Sequence, residues 1–530
     1  MRFRWWLVGA GLLLLALGAV LAFVLLRGAE GGSSAGEVAE LIATSSEIDL
    51  TMPPSMAEIA AEYPELEPIL NDPELGSVYK EFLIAYQEGG MDAAVAMAEE
   101  RGLLTPDGAS LRVTLVLDTE DSAALVEQLE AVGVDVVSAY KDRVNISVAI
   151  ALIEQALAAE DVKGVFQQLT EIDHVIAVRL PGQRSSDMDD PQPAPDRHGQ
   201  TTEGEGVGVI NADAWHQAGF TGAGIRIGVL DLGFSGYEEL LGSELPASVE
   251  MATFGWYDDE EVHGTACAEI VHEVAPGAEL FLAWYDGSDA AMGEAVDWLV
   301  SHDVQIITHS AGGAVSPRDG TGWDARLVDA TTARGILWVN SAGNEADVHY
   351  REDFSDIDGD GFHDYAHGSS LLPIQIGGYL RVFLIWQDDW DYPTQDYELV
   401  ILDGEGQILA KSEEAQDGSP GQQPAEYLAL EVDDPIVYAA VYAYDIDQPT
   451  TFDVFAAGPG VGVVGAVPAY SVTAPGDAQT SLTVGAVAWA DDALEYYSSQ
   501  GPTNDGRLKP EISGPTRVSG YTYGDEGFDG

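Results

Sequence analysis

Short apolar runs alternate with amphipathic stretches through much of the chain's second half. From residue 207 onward, runs at 225–230, 279–284, 304–308 and 336–339 read as buried strands. Between them, apolar positions recur at helical spacing near 264–274, 289–302 and 323–334. This alternation predicts a parallel sheet with helices on both faces. Ligands and active residues gather at the carboxyl ends of such strands. Asp231, Ser310 and Asn344 fall just past three of those ends.

The pattern differs before residue 207. Residues 54–104 are helical in spacing and rich in Ala and Glu. Strand-like runs at 111–117, 134–139, 144–148 and 175–180 then alternate with helical stretches at 121–132 and 150–172. The order β-α-β-β-α-β predicts a small ferredoxin-like α+β domain. Residues 183–206 have no apolar period and are rich in Pro, Asp, Gly and Ser, as an exposed and cleavable linker would be. At the start, Met-Arg-Phe-Arg precedes 22 uncharged residues, Trp5–Leu26. As a helix this run spans about 33 Å, enough to cross a bilayer. It reads as a signal anchor or signal peptide, and Arg2 and Arg4 before it direct the rest of the chain out of the cytoplasm.

A third pattern lies between residues 351 and 470. Runs at 380–386, 397–402, 425–432, 437–443 and 451–456 are separated by turn signals and predict an inserted β-sandwich. At its threshold stands SDIDGDGFHDY. Asp356, Asp358, Asp360, the Phe362 carbonyl and Asp364 match positions 1, 3, 5, 7 and 9 of a calcium loop, and Gly361 supplies the turn. Position 12 is His367, which cannot give the usual bidentate carboxylate. Calcium and a solvated acidic turn are both open readings.

These patterns divide the chain into seven parts. They are a signal segment (1–27), a tether with helices (28–108), the ferredoxin-like domain (109–181), the linker (182–206), the first part of the α/β domain (207–350), the insertion (351–470) and the rest of the α/β domain (471–530). Composition narrows the partners. With 90 acidic and 22 basic residues the net charge is −68, which repels phosphate backbones and disfavours nucleic acid. The single cysteine excludes an intrachain disulfide and a Cys-based zinc site.

Three motifs carry chemistry: GIRIGVLDLGF with Asp231 ending a strand, EVHGTACAEIVHEV with His263 opening a helix, and ILWVNSAGNEAD with Asn344 in a turn after a strand. Asp231 and His263 are 32 residues apart. In order, context and spacing these motifs resemble those of the subtilisin-like serine peptidases, the subtilases. The resemblance extends to VQIITHSAGG, SLTVGAVAW and YYSSQGPTNDGRLKPEISGP. It implies an α/β subtilisin-like fold and a serine endopeptidase with Asp231 and His263 in the charge-relay pair and Asn344 as oxyanion donor. It also implies that Ser310, Ala311 and Gly312 pair with a polypeptide substrate. The domain at 109–181 would then be a propeptide, acting as folding aid and intramolecular inhibitor.

One departure qualifies this expectation. The family's serine sits in a Gly-Thr-Ser motif, and that motif is missing from the 530 residues. If Gly530 is its glycine, the serine is expected two residues further on. Ser341, Ser498, Ser499, Ser513 and Ser519 lie in other contexts. Cys267, one turn after His263, reads as a small buried hydrophobe near the site. The chain as given is therefore expected to be inactive. The alternative is a non-catalytic peptide-binding surface protein on a degenerate subtilase fold.

Overall fold

The computed structural model describes residues 50, 56–131, 134–158, 165–182, 184–185, 204–257, 261–366, 368–412, 414–524, 527 and 530. The apolar segment 1–27, residues 186–203 of the linker and His367 lie outside the described residues. Among the described residues no helix is long and apolar enough to cross a membrane. The chain forms two compact units. One is Glu74–Ala346 with Pro468–Gly530, and the other is Asp347–Val467 with the described residues before Glu74.

The first unit is built on a seven-stranded sheet. Its order is Ile512–Thr516, Leu482–Ala488, Leu337–Ser341, Ile306–His309, Arg226–Asp231, Glu279–Tyr285 and Glu250–Phe254, and every neighbouring pair is parallel. Strands covered on both faces must be apolar on both, which is why they read as unbroken hydrophobic runs. Successive side chains still point opposite ways. Leu230, Ala283 and Ile307 pack under the helices Asp289–Ser301 and Trp323–Thr332, while Val229, Leu282 and Trp284 pack against Ala268 of the helix His263–Val274. After Glu279–Tyr285 the chain crosses to the other side of Arg226–Asp231 and adds Ile306–His309 there. The crevice opened by that reversal lies past Asp231 and His309.

The same unit holds a smaller antiparallel sheet ordered Asp135–Tyr140, Arg143–Ala149, Ser110–Leu117 and Val175–Arg179. With the helices Ala123–Ala131 and Ile150–Ala158 this is the ferredoxin-like β-α-β-β-α-β order. Within the stretch read as helical at 150–172, the described residues form the helices Ile150–Ala158 and Phe166–Thr170. This small sheet is docked on the Asp289–Ser301 helix. Asn145 Nδ2 donates to Ser288 Oγ at 2.8 Å, Glu294 Oε1 accepts from the Ala139 amide at 2.9 Å, and Trp256 Nε1 donates to Ser147 Oγ at 2.9 Å.

The second unit is a sandwich of two antiparallel sheets. One runs His349–Asp353, Thr451–Ala457, Tyr379–Trp386, Ala425–Glu431, and the other Ile408–Ser412, Asp396–Leu402, Ile436–Asp445, Leu372–Gln375, Gly462–Val463. Leu380, Val382 and Leu384 of one sheet meet Leu399, Ile401 and Val441 of the other in a shared core. Trp386, Tyr397 and Phe452 are buried in it, so these aromatics fill the core rather than line a surface.

Candidate active site

Asp231 is the last residue of its strand and His263 the first residue of its helix. The helix start is tied to the turn after Asp231 by Gly264 N–H to Gly233 O at 2.7 Å and Thr265 Oγ1 to Ser235 O at 2.9 Å. Both Asp231 carboxylate oxygens then lie 3.0 Å from His263 Nδ1, and Oδ1 also accepts from the Leu232 amide. Both side chains are buried. Burial lowers the histidine's proton affinity, but the Asp231 carboxylate and then Cys267 outweigh it, and the pKa is held well above the ordinary value. This pair can fix the Nδ1–H tautomer and stabilise an imidazolium. Half-buried Cys267 sits beside it, with Sγ 3.9 and 4.0 Å from the two ring nitrogens.

Ser310, Ala311 and Gly312 follow the neighbouring strand. Gly312 exchanges both backbone hydrogen bonds with Ser185, at 3.1 and 3.2 Å, and the next residue, Gly313, does the same with Ala474 on the other side. Asn344 stands in the bend after Leu337–Ser341, one strand further over. That bend is pinned by Ser499, whose amide donates to Gly343 O and whose Oγ accepts from the Glu345 amide and donates to its carboxylate. Ser498 Oγ accepts from the Ala486 amide at 2.9 Å. Asp231, Ser310 and Asn344 thus end three consecutive neighbours in the sheet.

His309 was not singled out by sequence. It is buried directly before Ser310, in register with Leu230. Its Nε2 lies 2.8 Å from the Tyr285 hydroxyl and its Nδ1 2.8 Å from Asn340 Oδ1. Burial pushes its pKa down to about 4, so this ring is neutral beside the His263 pair. The signal was available in THSAGG, where strand alternation turns the His side chain inward, but a lone histidine has no distinctive spacing.

The acidic loop belongs to the other unit. Asp356, Asp358 and Asp364 offer oxygens within 4.8 Å of one another. Asp360 is not one of that group, and its Oδ1 accepts from the Phe362 amide at 2.8 Å. Asp356 accepts from the Gly359 and Gly361 amides, and Asp364 from the Ile357 amide, so the loop closes on its own carboxylates. The Phe362 side chain is buried against Tyr442. Burial and then the neighbouring Asp358, Asp356 and Asp364 push the Asp360 pKa up.

The parallel sheet thus carries a buried Asp–His pair at the end of an interior strand, next to the central strand Ile306–His309. A sequence profile described as the subtilase family, peptidase S8, matches residues 222–378 and 415–526, and the chain belongs to that family. Subtilisin E of Bacillus subtilis strain 168 is 27% identical over 154 residues, 26% of this chain and 39% of that protein. The thermostable alkaline protease of Halalkalibacterium halodurans is 28% identical over 155 residues, covering 26% and 41%. The match thus spans about two-fifths of the length of these relatives. Among solved structures, the Clostridium perfringens CspB protease aligns at a TM-score of 0.41 and 12% identity, over 61% of this chain and 83% of that one.

Proposed function

We propose that this chain carries the Asp–His part of a subtilisin-like serine endopeptidase. The observation that carries the reading is the buried Asp231–His263 pair, with both carboxylate oxygens 3.0 Å from Nδ1. In this reading His263 takes the proton of the attacking serine and returns it to the leaving amine. Asp231 holds the ring in the tautomer that presents Nε2 to the nucleophile. The Asn344 side-chain amide donates to the oxyanion, an interaction whose loss costs about 2.7–4 kcal/mol in such sites. The substrate is an extended polypeptide that adds as a strand to Ser310–Gly312, where main-chain hydrogen bonds demand unfolded chain.

The domain at 109–181 acts as an intramolecular propeptide. Its bonds to Ser288, Glu294 and Trp256, and the pairing of Ser185 with Gly312, support this by laying the linker where substrate would lie. The N-terminal apolar segment would place the enzyme outside the cytoplasm, anchored or released. The Asp356, Asp358 and Asp364 oxygens suit a hard cation such as calcium, which would neutralise their mutual repulsion and fix the loop.

The 530 residues hold no Gly-Thr-Ser, so they are expected to show no turnover and no labelling by a serine-directed fluorophosphonate. The test is to read the codons after Gly530. Thr-Ser followed by helix-forming residues supports the endopeptidase. A stop codon there overturns it for this gene product and leaves peptide binding on the 310–312 strand.

A further inference from the structure

Arg184 precedes the residue paired with Gly312, and its side chain is only 7% exposed. Nη1 donates to the Gly287 carbonyl at 3.0 Å, and Nη2 to Asp289 Oδ1 at 2.6 Å and Asp324 Oδ2 at 3.5 Å. Nε has no partner among the described residues, so the two terminal nitrogens make every polar contact. Gly287 has φ +84, and a Cβ there would stand 3.0 Å from the Arg184 carbonyl oxygen. Only glycine lets the backbone of the linker come this close.

The walls of this pocket suit a cation. Asp324 is buried, and Asp289 is mostly so. Burial disfavours the Arg184 charge, but Asp289 and then Asp324 outweigh it and hold the guanidinium above its ordinary value. The ion-pair partners of Asp289 are Arg143 and Arg184, and both lie before residue 186. Release of that part of the chain would leave two carboxylates with little solvent and no bonded cation, a costly arrangement. A planar fork fits one carbonyl and two carboxylates, whereas a lysine ammonium on the same stem lacks the spread to reach all three.

We infer that the pocket formed by Gly287, Asp289 and Asp324 is a recognition site for an arginine side chain, one residue before the position that pairs with Gly312. Polypeptides with arginine at that position are then the substrate class that the cleft selects. This rests on reading Ser310–Gly312 as the strand that receives polypeptide, and Arg184 is its internal occupant.

The test measures hydrogen exchange at the Gly312 amide in the full chain. Arg184→Ala is expected to speed exchange by about tenfold or more, the effect of one charge-assisted pair. Unchanged exchange in Arg226–Asp231 reports an intact fold. Should Arg184→Ala not fold, Arg184→Lys, which keeps the charge but not the fork, carries the same comparison. The free peptide Pro-Gly-Gln-Arg-Ser-Ser is then added to the variant. Restored protection at concentrations about tenfold below those needed by the same peptide with norleucine in place of its arginine supports the pocket. Equal protection by both peptides overturns arginine selection and leaves the polypeptide strand standing. Protection by neither overturns the strand itself, and with it the pocket. Unchanged exchange in Arg184→Ala shows that the pocket does not hold the linker and overturns the inference.

Discussion

The carboxylate of Glu269, on the same helix as His263, accepts a 2.6 Å hydrogen bond from the hydroxyl of Thr522. Its other oxygen accepts from the Tyr521 and Thr522 amides at 3.1 and 3.3 Å. Glu205 holds the adjacent Ser519 through its amide and hydroxyl at 2.8 and 2.9 Å. The histidine's helix therefore grips the segment that leads toward Gly530, where the family resemblance places the approach to the serine. Glu269 is 2% exposed, and burial pushes its pKa up to about 7 against those hydrogen bonds.

This gives a pH dependence with a definite sign. Unfolded, Glu269 ionises near the ordinary carboxylate range, while folded it keeps its proton up to about pH 7. Stability is thus greatest below the unfolded pKa, falls as pH rises toward 7, and is level beyond. The loss is at most about 3 kcal/mol. His309, pushed down to about 4, works in the opposite direction between pH 4 and 6.5. It is common to both chains and cancels in a comparison. Urea unfolding of Glu269→Gln and the parent at pH 5 and 7.5 is expected to show the variant gaining on the parent as pH rises. A constant difference would sink the assignment.

The Asp231–His263 pair has its own signature. Asp231 is the main reason the His263 pKa lies above the ordinary value. Stability from this pairing is present below the unfolded histidine pKa and is lost as pH rises through the folded one. Asp231→Asn is expected to lower the His263 midpoint in an NMR titration by about 1–3 pH units, the usual effect of removing an adjacent opposite charge. An unmoved midpoint would mean that the carboxylate does not set the histidine's charge.

Much of this was legible because the physics is local. Buried parallel strands must be apolar on both faces, so 225–230, 279–284 and 304–308 were readable, and the residues closing them became candidates. The two sheets of the sandwich likewise follow from short strand-like runs separated by turn signals. The Arg184 pocket was not legible. Arg184, Gly287, Asp289 and Asp324 come from a linker, a turn and two helices, and only tertiary docking makes them neighbours. The role of Glu269 was hidden for the same reason, since Thr522 lies 253 residues away. Asp360 shows a further limit, because spacing cannot tell which carboxylate oxygens of a loop come within reach of one another.

Calcium should act on the sandwich unit through Asp356, Asp358 and Asp364. A cation that binds only the folded loop stabilises it by about 2.7 kcal/mol at a hundred times Kd. Calcium is expected to raise the melting temperature, a chelator to reverse the rise, and Asp358→Asn to abolish most of it. An equal rise in the Asp358→Asn protein would move the effect away from this loop.

Docking of the small antiparallel sheet depends on a glycine that its own helix does not need. Gly293 lies inside Asp289–Ser301, where alanine would ordinarily be favoured by about 0.5–1 kcal/mol. A Cβ there would fall 2.2 Å from the Tyr140 ring, which also packs edge-on against Trp323 at 6.0 Å. Gly293→Ala is therefore expected to destabilise by about 1–3 kcal/mol through overpacking, despite its better helix propensity. In a Tyr140→Ala background the same change should be neutral or stabilising, because the clash is gone. The double-mutant cycle in urea checks this. Additive effects, with Gly293→Ala equally costly in both backgrounds, would place its cost within the helix and separate it from the docked sheet.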